Sequence, residues 1–143
     1  MSLNPKIWGP HYWFVLHTIA LTYPLNPNET MRKKYYDLMI NFHLFLPDTK
    51  IGNKFSELLN VYPVTPYLDS RQAFIKWVHF IHNKINISLG IRGLSFDESL
   101  KEYYNKYKPL DVICIEHIKR KKKMVFFIIL SLLIGIGYLQ YQY

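Results

Sequence analysis

The sequence predicts an all-α fold in which a bundle of short amphipathic helices precedes a hydrophobic tail. Through most of the first 110 residues, apolar side chains recur every three to four positions, which is the period of one face of an α-helix. A helix start signal precedes most of these stretches, and none reads convincingly as a strand. We expect a helical domain over residues 1–110, a basic linker over 111–123 and a C-terminal helix over 124–143.

Composition and charge limit the classes of function. The chain is 50% hydrophobic and 17% aromatic, so it can bury a core. Of its net charge of +8, five positive charges lie in the run Lys119-Arg120-Lys121-Lys122-Lys123, which leaves +3 for the rest. This distribution argues against nucleic acid as a partner of the helical domain. The single cysteine, Cys114, excludes an intrachain disulfide.

The first helix is predicted from Trp8 to Ala20. Trp13 and His17 are four residues apart and therefore share a face. Taken alone, Trp13 fits a core aromatic residue and His17 fits a hydrogen-bonded interior imidazole. Four further helices are predicted from their N-cap residues: the second from Asn26, the third from Asp48, the fourth from Asp69 and the fifth from Ser95.

The fourth helix carries two distinct stripes. An apolar stripe predicts the buried face and comprises Phe74, Trp77, Val78, Ile81, Ile85 and Leu89. Beside it lies a polar stripe without a charged residue, formed by His79, His82, Asn83 and Asn86. Imidazoles can stack on a planar ligand while amides donate and accept hydrogen bonds; equally, these side chains could cap neighbouring helices or line a wet groove. Without carboxylates or thiolates at ligand spacing, we expect no metal site.

The chain resembles the ERV/ALR family of FAD-linked sulfhydryl oxidases. The resemblance covers about Trp8 to Tyr107 and rests on four motifs: Trp8-Gly9-Pro10, Trp13-x-x-Leu16-His17-Thr18, Tyr23-Pro24 and His82-Asn83-x-x-Asn86-x-x-Leu89-Gly90. It implies a four-helix bundle with a fifth short helix, FAD held between the helices, and homodimers such as family members often form. By the same resemblance, the FAD contacts are Trp13, His17, His82, Asn83 and Asn86, with His79 a neighbour of the pocket.

Two departures from the family pattern bear on activity. The basic residue that usually follows Leu-Gly is replaced by Ile91, with Arg92 next. Where active members carry C-x-x-C, this chain has Asp48-Thr49-Lys50-Ile51. A carboxylate and an aliphatic side chain cannot exchange disulfides. We therefore assign no catalytic residue and expect either a retained FAD site or a polar stripe that persists only as packing.

The tail predicts a membrane anchor. Residues 124–139 carry no charge and would extend about 24 Å as a helix, somewhat short of the roughly 30 Å hydrocarbon core. We expect Val125–Leu139 to contact the bilayer and the five cations of residues 119–123 to contact anionic headgroups. The positive-inside tendency would place the helical domain on the cytosolic side.

Two functions follow from these expectations. The first is a redox-inactive, membrane-anchored structural component, such as a minor capsid protein of a large DNA virus that contacts other virion proteins. The alternative is a FAD-linked thiol oxidase whose thiol pair a partner supplies.

Overall fold

The computed structural model describes residues 3–142. These residues form helices joined by turns and loops, and none of them forms a strand. Met1, Ser2 and Tyr143, at the outer ends of the predicted domains, lie outside the described residues. The helices are α1 Pro5–Leu21, α2 Glu29–Asn41, α3 Thr49–Val61, α4 Arg71–Ser88, α5 Phe96–Asn105 and α6 Leu110–Gln142. Short 3-10 turns cover Phe42–Phe45 and Thr65–Tyr67. The all-α prediction is confirmed, with the helical chain dividing into two compact units, Met1–Tyr103 and Tyr104–Tyr143.

Two of the predicted N-caps are correct and two are wrong. Asp48 caps α3 by accepting hydrogen bonds from the Lys50 and Ile51 N–H groups, and Ser95 forms a reciprocal capping box with Glu98. The cap of α2 is Asn28 rather than Asn26, and that of α4 is Ser70 rather than Asp69. In both corrections two eligible residues lie close together, and the one nearer the helix makes the bond.

The hydrophobic core of the first unit lies between α1, α3 and α4. The apolar stripe of α4 is buried as predicted except for Leu89, which follows the end of the helix and is exposed. Tyr23, fully buried, donates its hydroxyl proton to the Leu68 carbonyl at 2.7 Å, so its phenol is satisfied inside the core. Each such buried large side chain contributes on the order of 2 kcal/mol through apolar burial.

The start of α3 packs closely against the 3-10 turn Phe42–Phe45. A Cβ added at Gly52 would lie 2.9 Å from the His43 carbonyl oxygen, a distance that real Cβ atoms do not tolerate against backbone. Glycine is therefore required here by close approach rather than by backbone conformation.

The second unit contains α6, which runs continuously through the predicted basic linker and the predicted anchor. The expectation of a single-pass C-terminal anchor is wrong: among the described residues, no helix combines the length and apolarity that crossing a bilayer requires.

Candidate functional site

The candidate site lies where α1 packs against α4. Trp13 and His17 come from α1 and His82 from α4, so residues 65 or more positions apart in sequence meet here. The Trp13 and His82 rings are stacked, with centroids 4.1 Å apart and an interplanar angle of 14°. The four-residue spacing on α1 places Trp13 and His17 on the face that packs on α4.

His17 and His82 form a hydrogen-bonded imidazole pair. The His17 Nε2 and His82 Nδ1 atoms are 3.0 Å apart, so one ring donates and the other accepts. His17 is 8% exposed, and this bond supplies a partner that a buried imidazole needs. His82 is thus held in position by His17 at one edge and by Trp13 across one face.

His79, which lies one turn before His82 on α4, forms a second cluster with Asn83. The Asn83 amide nitrogen lies 3.2 Å from His79 Nε2. The other ring nitrogen, His79 Nδ1, is shielded from solvent and has no hydrogen-bond partner among the described residues. Burial lowers the pKa of His79 below its ordinary value of 6.5, which favours the neutral ring. The ring of Phe96, at the start of α5, contacts His79 edge-to-face at 5.4 Å.

Asn83 also binds the connection between α4 and α5. Its amide nitrogen donates to the Leu94 carbonyl at 2.6 Å, and its carbonyl accepts from the Leu94 N–H at 3.1 Å. Asn86 differs: its backbone carbonyl accepts from Leu89 and Ile91, while its side chain is half-buried near the C-terminal end of α4. Of the predicted contacts, Trp13, His17 and His82 therefore meet directly, and His79 and Asn83 meet each other.

The positions of the expected C-x-x-C have structural roles. Asp48 is the N-cap of α3, and Ile51 is 8% exposed in the hydrophobic core. Two turns into the same helix, Phe55 packs in the core and its ring lies 6.3 Å from Trp13. Cys114 is exposed and belongs to the second unit. No pair of thiols exists within this chain.

Sequence reasoning missed Leu94 and assigned no role to Phe96. Leu94 participates through its backbone, so no side-chain pattern could have revealed it. Arg92, the basic residue that follows Ile91, pairs with Glu98 at 3.0 Å in an exposed position. Because both side chains are exposed, this ion pair contributes little to the stability of the fold.

Comparisons with known proteins show which family the chain resembles. The Erv1/Alr family model matches residues 10–108. A relative in Acanthamoeba polyphaga mimivirus, named "Probable FAD-linked sulfhydryl oxidase", is 32% identical over 108 residues, covering 75% of this chain and 76% of its own. An FAD-linked sulfhydryl oxidase of African swine fever virus is 29% identical over 112 residues, which cover 78% of this chain and 89% of the viral protein. The match to ERV1 of Oryza sativa is 33% over 82 residues and covers only 41% of that protein.

Solved structures show the same fold. The yeast Erv1 core superposes with a TM-score of 0.64 at 20% identity, covering 72% of this chain and 86% of that one. The FAD-binding domain of Saccharomyces cerevisiae Erv1 gives the same TM-score of 0.64. These relatives are oxidases by name, so the expectation of a redox-inactive virion or minor capsid component gains no support from them. The chain belongs to the Erv1/Alr family.

Proposed function

We propose that this chain binds FAD at the junction of α1 and α4 and oxidises dithiols that another polypeptide presents to it. The observation that carries the proposal is the joined set Trp13, His17 and His82, which presents stacked aromatic surface beside polar ring atoms. The names of the viral relatives, which are FAD-linked sulfhydryl oxidases, support the same chemistry.

The residues present fit a flavin nucleotide in chemical type. A planar ring system needs a flat surface on which to stack, and the outer faces of the Trp13 and His82 pair are suited to this. A nucleotide also offers many hydrogen-bond acceptors, and His79 Nδ1 is a shielded polar atom without a partner among residues 3–142. Such an unsatisfied atom is unfavourable unless a ligand or water meets it.

Each side chain has a distinct task in this proposal. Trp13 and His82 provide the stacking surface, and His17 fixes the plane of the His82 ring through the 3.0 Å bond. The Asn86 amide, near the end of α4, supplies a donor and an acceptor for ring edges. When bound, FAD supplies a two-electron acceptor for thiol oxidation and passes those electrons to oxygen.

The thiols must come from outside the chain. In the net reaction, two thiols lose two electrons and two protons and form one S–S bond, while oxygen gains both and becomes hydrogen peroxide. Neither Asp48 nor Ile51 has a sulfur atom, so neither can attack a disulfide or become part of one. A partner dithiol that reaches the cofactor directly satisfies the balance without them.

The proposal is tested by measuring oxygen consumption by the FAD-loaded full chain. We expect sustained consumption, with stoichiometric disulfide formation, when dithiothreitol or a reduced protein dithiol is added. The matched variants are His82→Ala, which removes the stacking partner, and His11→Ala, which removes an exposed imidazole of the same helix as Trp13.

We expect His82→Ala to lose flavin and turnover together, whereas His11→Ala keeps both. Full flavin loading without any turnover of either dithiol would contradict the oxidase proposal and favour the redox-inactive alternative. Failure of the wild-type chain to bind flavin would contradict the cofactor assignment itself.

A further inference from the structure

The side-chain amide of Asn83 forms its hydrogen bonds within the protein rather than facing an open ligand site. Its amide oxygen and nitrogen both bond the backbone of Leu94, at 3.1 and 2.6 Å. These two bonds span the α4–α5 connection, because Asn83 lies on α4 and Leu94 two residues before Phe96, the first residue of α5.

These backbone bonds fix which way the amide points. The Leu94 N–H can only donate, so the atom facing it is the amide oxygen; the Leu94 carbonyl can only accept, so the atom facing it is the amide nitrogen. The usual ambiguity between the two ends of an asparagine side chain is thereby removed by the backbone.

The orientation of the amide determines the tautomer of His79. With one N–H directed to Leu94, the second N–H of the Asn83 amide is left for His79 Nε2, 3.2 Å away. An amide N–H cannot bond a protonated ring nitrogen, so Nε2 is the acceptor and carries no hydrogen. A neutral imidazole holds its proton on the other nitrogen, Nδ1, which is the shielded atom without a partner.

We infer that Asn83 is a positioning residue that fastens the α4–α5 connection to α4 and fixes His79 as the Nδ1–H tautomer. The lowered pKa of His79 is consistent with a ring held neutral. Asn83 thus acts through Leu94 and His79, and its amide has no free donor for a cofactor. The inference depends on the geometry of this cluster alone and is independent of the proposed oxidase function.

The packing around the connection supports this role. A Cβ added at Gly93 would lie in ordinary van der Waals contact with the Asn83 side chain, at 3.5 Å, so little space separates the connection from the amide. The Phe96 ring contacts His79 edge-to-face. The connection therefore packs against Asn83, and the start of α5 packs against His79.

The test is the tautomeric state of His79 in the full chain, read from long-range ¹H–¹⁵N correlations of the histidine rings. The His79 signals are identified by their loss in His79→Gln. We expect the Nδ1–H pattern in the wild type. In Asn83→Asp, the carboxylate still accepts from Leu94 but cannot donate to His79, so the proton should move to Nε2.

Asn86→Asp is the matched control, because it adds the same charge to the same helix three residues later. It should leave the His79 pattern unchanged. An Nε2–H pattern in the wild type, or the same pattern in wild type and Asn83→Asp, would overturn the inference.

Hydrogen exchange at the Leu94 amide gives a second readout. In Asn83→Ala that amide should exchange about tenfold faster than in the wild type, which corresponds to the loss of one hydrogen bond worth about 1.4 kcal/mol. Unchanged exchange would show that Asn83 does not hold the connection. If Asn83→Ala does not fold, Asn83→Asp still gives the tautomer result.

Discussion

The α1–α4 junction and the start of α3 differ sharply in what their residues can do. At the junction, Trp13, His17 and His82 form a stacked and hydrogen-bonded group. At the start of α3, Asp48 and Ile51 are occupied by capping and core packing. Under the proposed function, the difference teaches that a cofactor site and the thiol relay that serves it are separable within one fold.

The largest effect is expected from restoring the sulfur pair. Asp48→Cys with Ile51→Cys places two thiols at the N-terminus of α3, where the helix dipole lowers the pKa of a thiol. We expect oxidation of a protein dithiol by the FAD-loaded chain to rise about a hundredfold, a small part of what pre-oriented reacting groups achieve. Oxygen consumption measures the gain.

The single variants Asp48→Cys and Ile51→Cys are the controls, because one thiol cannot relay a disulfide. Loss of the cap and of core volume costs the double variant about 3 kcal/mol, so its helicity must be checked by circular dichroism. A folded, flavin-loaded double variant with no gain in rate would show that the two regions are not in reach of each other.

Removing the stacking surface should produce the next largest effect. Trp13→Ala deletes the ring that faces His82 and should weaken FAD binding about tenfold to a hundredfold, as for other aromatic surfaces on which bases stack. Equilibrium titration with flavin measures it. Asp48→Ala should lose about 1 kcal/mol of stability with its cap and keep the affinity for FAD, which would sharpen the contrast between the two regions.

The packing at the start of α3 predicts a purely structural effect. In Gly52→Ala, the new methyl group meets the His43 carbonyl at 2.9 Å, and we expect a loss of about 1 to 3 kcal/mol from overpacking. Gly135→Ala is the control, since nothing lies within 4 Å of a Cβ there; in the interior of α6 it should stabilise by up to about 1 kcal/mol. Equal unfolding midpoints for the two variants would contradict the close approach.

The smallest effect concerns pH. Burial lowers the pKa of folded His79, so the unfolded chain binds a proton first as the pH falls. The contribution of the neutral His79 ring to the free energy of unfolding is therefore fully present above pH 6.5, the unfolded-state pKa. It declines as the pH falls below that value. We expect His79→Gln to flatten the dependence of the unfolding midpoint between about pH 7 and pH 5. A slope that His79→Gln does not change would contradict this assignment.

Much of the fold follows from local chemistry that the sequence displays. The buried face of α4 was predictable because its five apolar residues repeat at helical spacing, and the box between Ser95 and Glu98 because both partners are visible in sequence. The choice of Asn28 over Asn26 was not, since both residues are competent caps and only the observed bond to the Met31 N–H distinguishes them.

For the candidate site, the sequence predicted a set of residues but not the contacts among them. The resemblance predicts His82, Asn83 and Asn86 as cofactor contacts and His79 as a neighbour of the pocket, yet Asn83 bonds the backbone of Leu94, which no side-chain pattern encodes. The tail shows a different failure. Its uncharged run suggested an anchor, but among the described residues no helix is both long enough and apolar enough to cross a bilayer.

Equilibrium titration of the purified full chain with FAD, followed by changes in flavin fluorescence, tests the central claim most directly. The account predicts saturable binding of one FAD per chain, weakened in both Trp13→Ala and His82→Ala and unchanged in His11→Ala. Absence of binding by the folded wild type, or binding that neither site variant weakens, would contradict it.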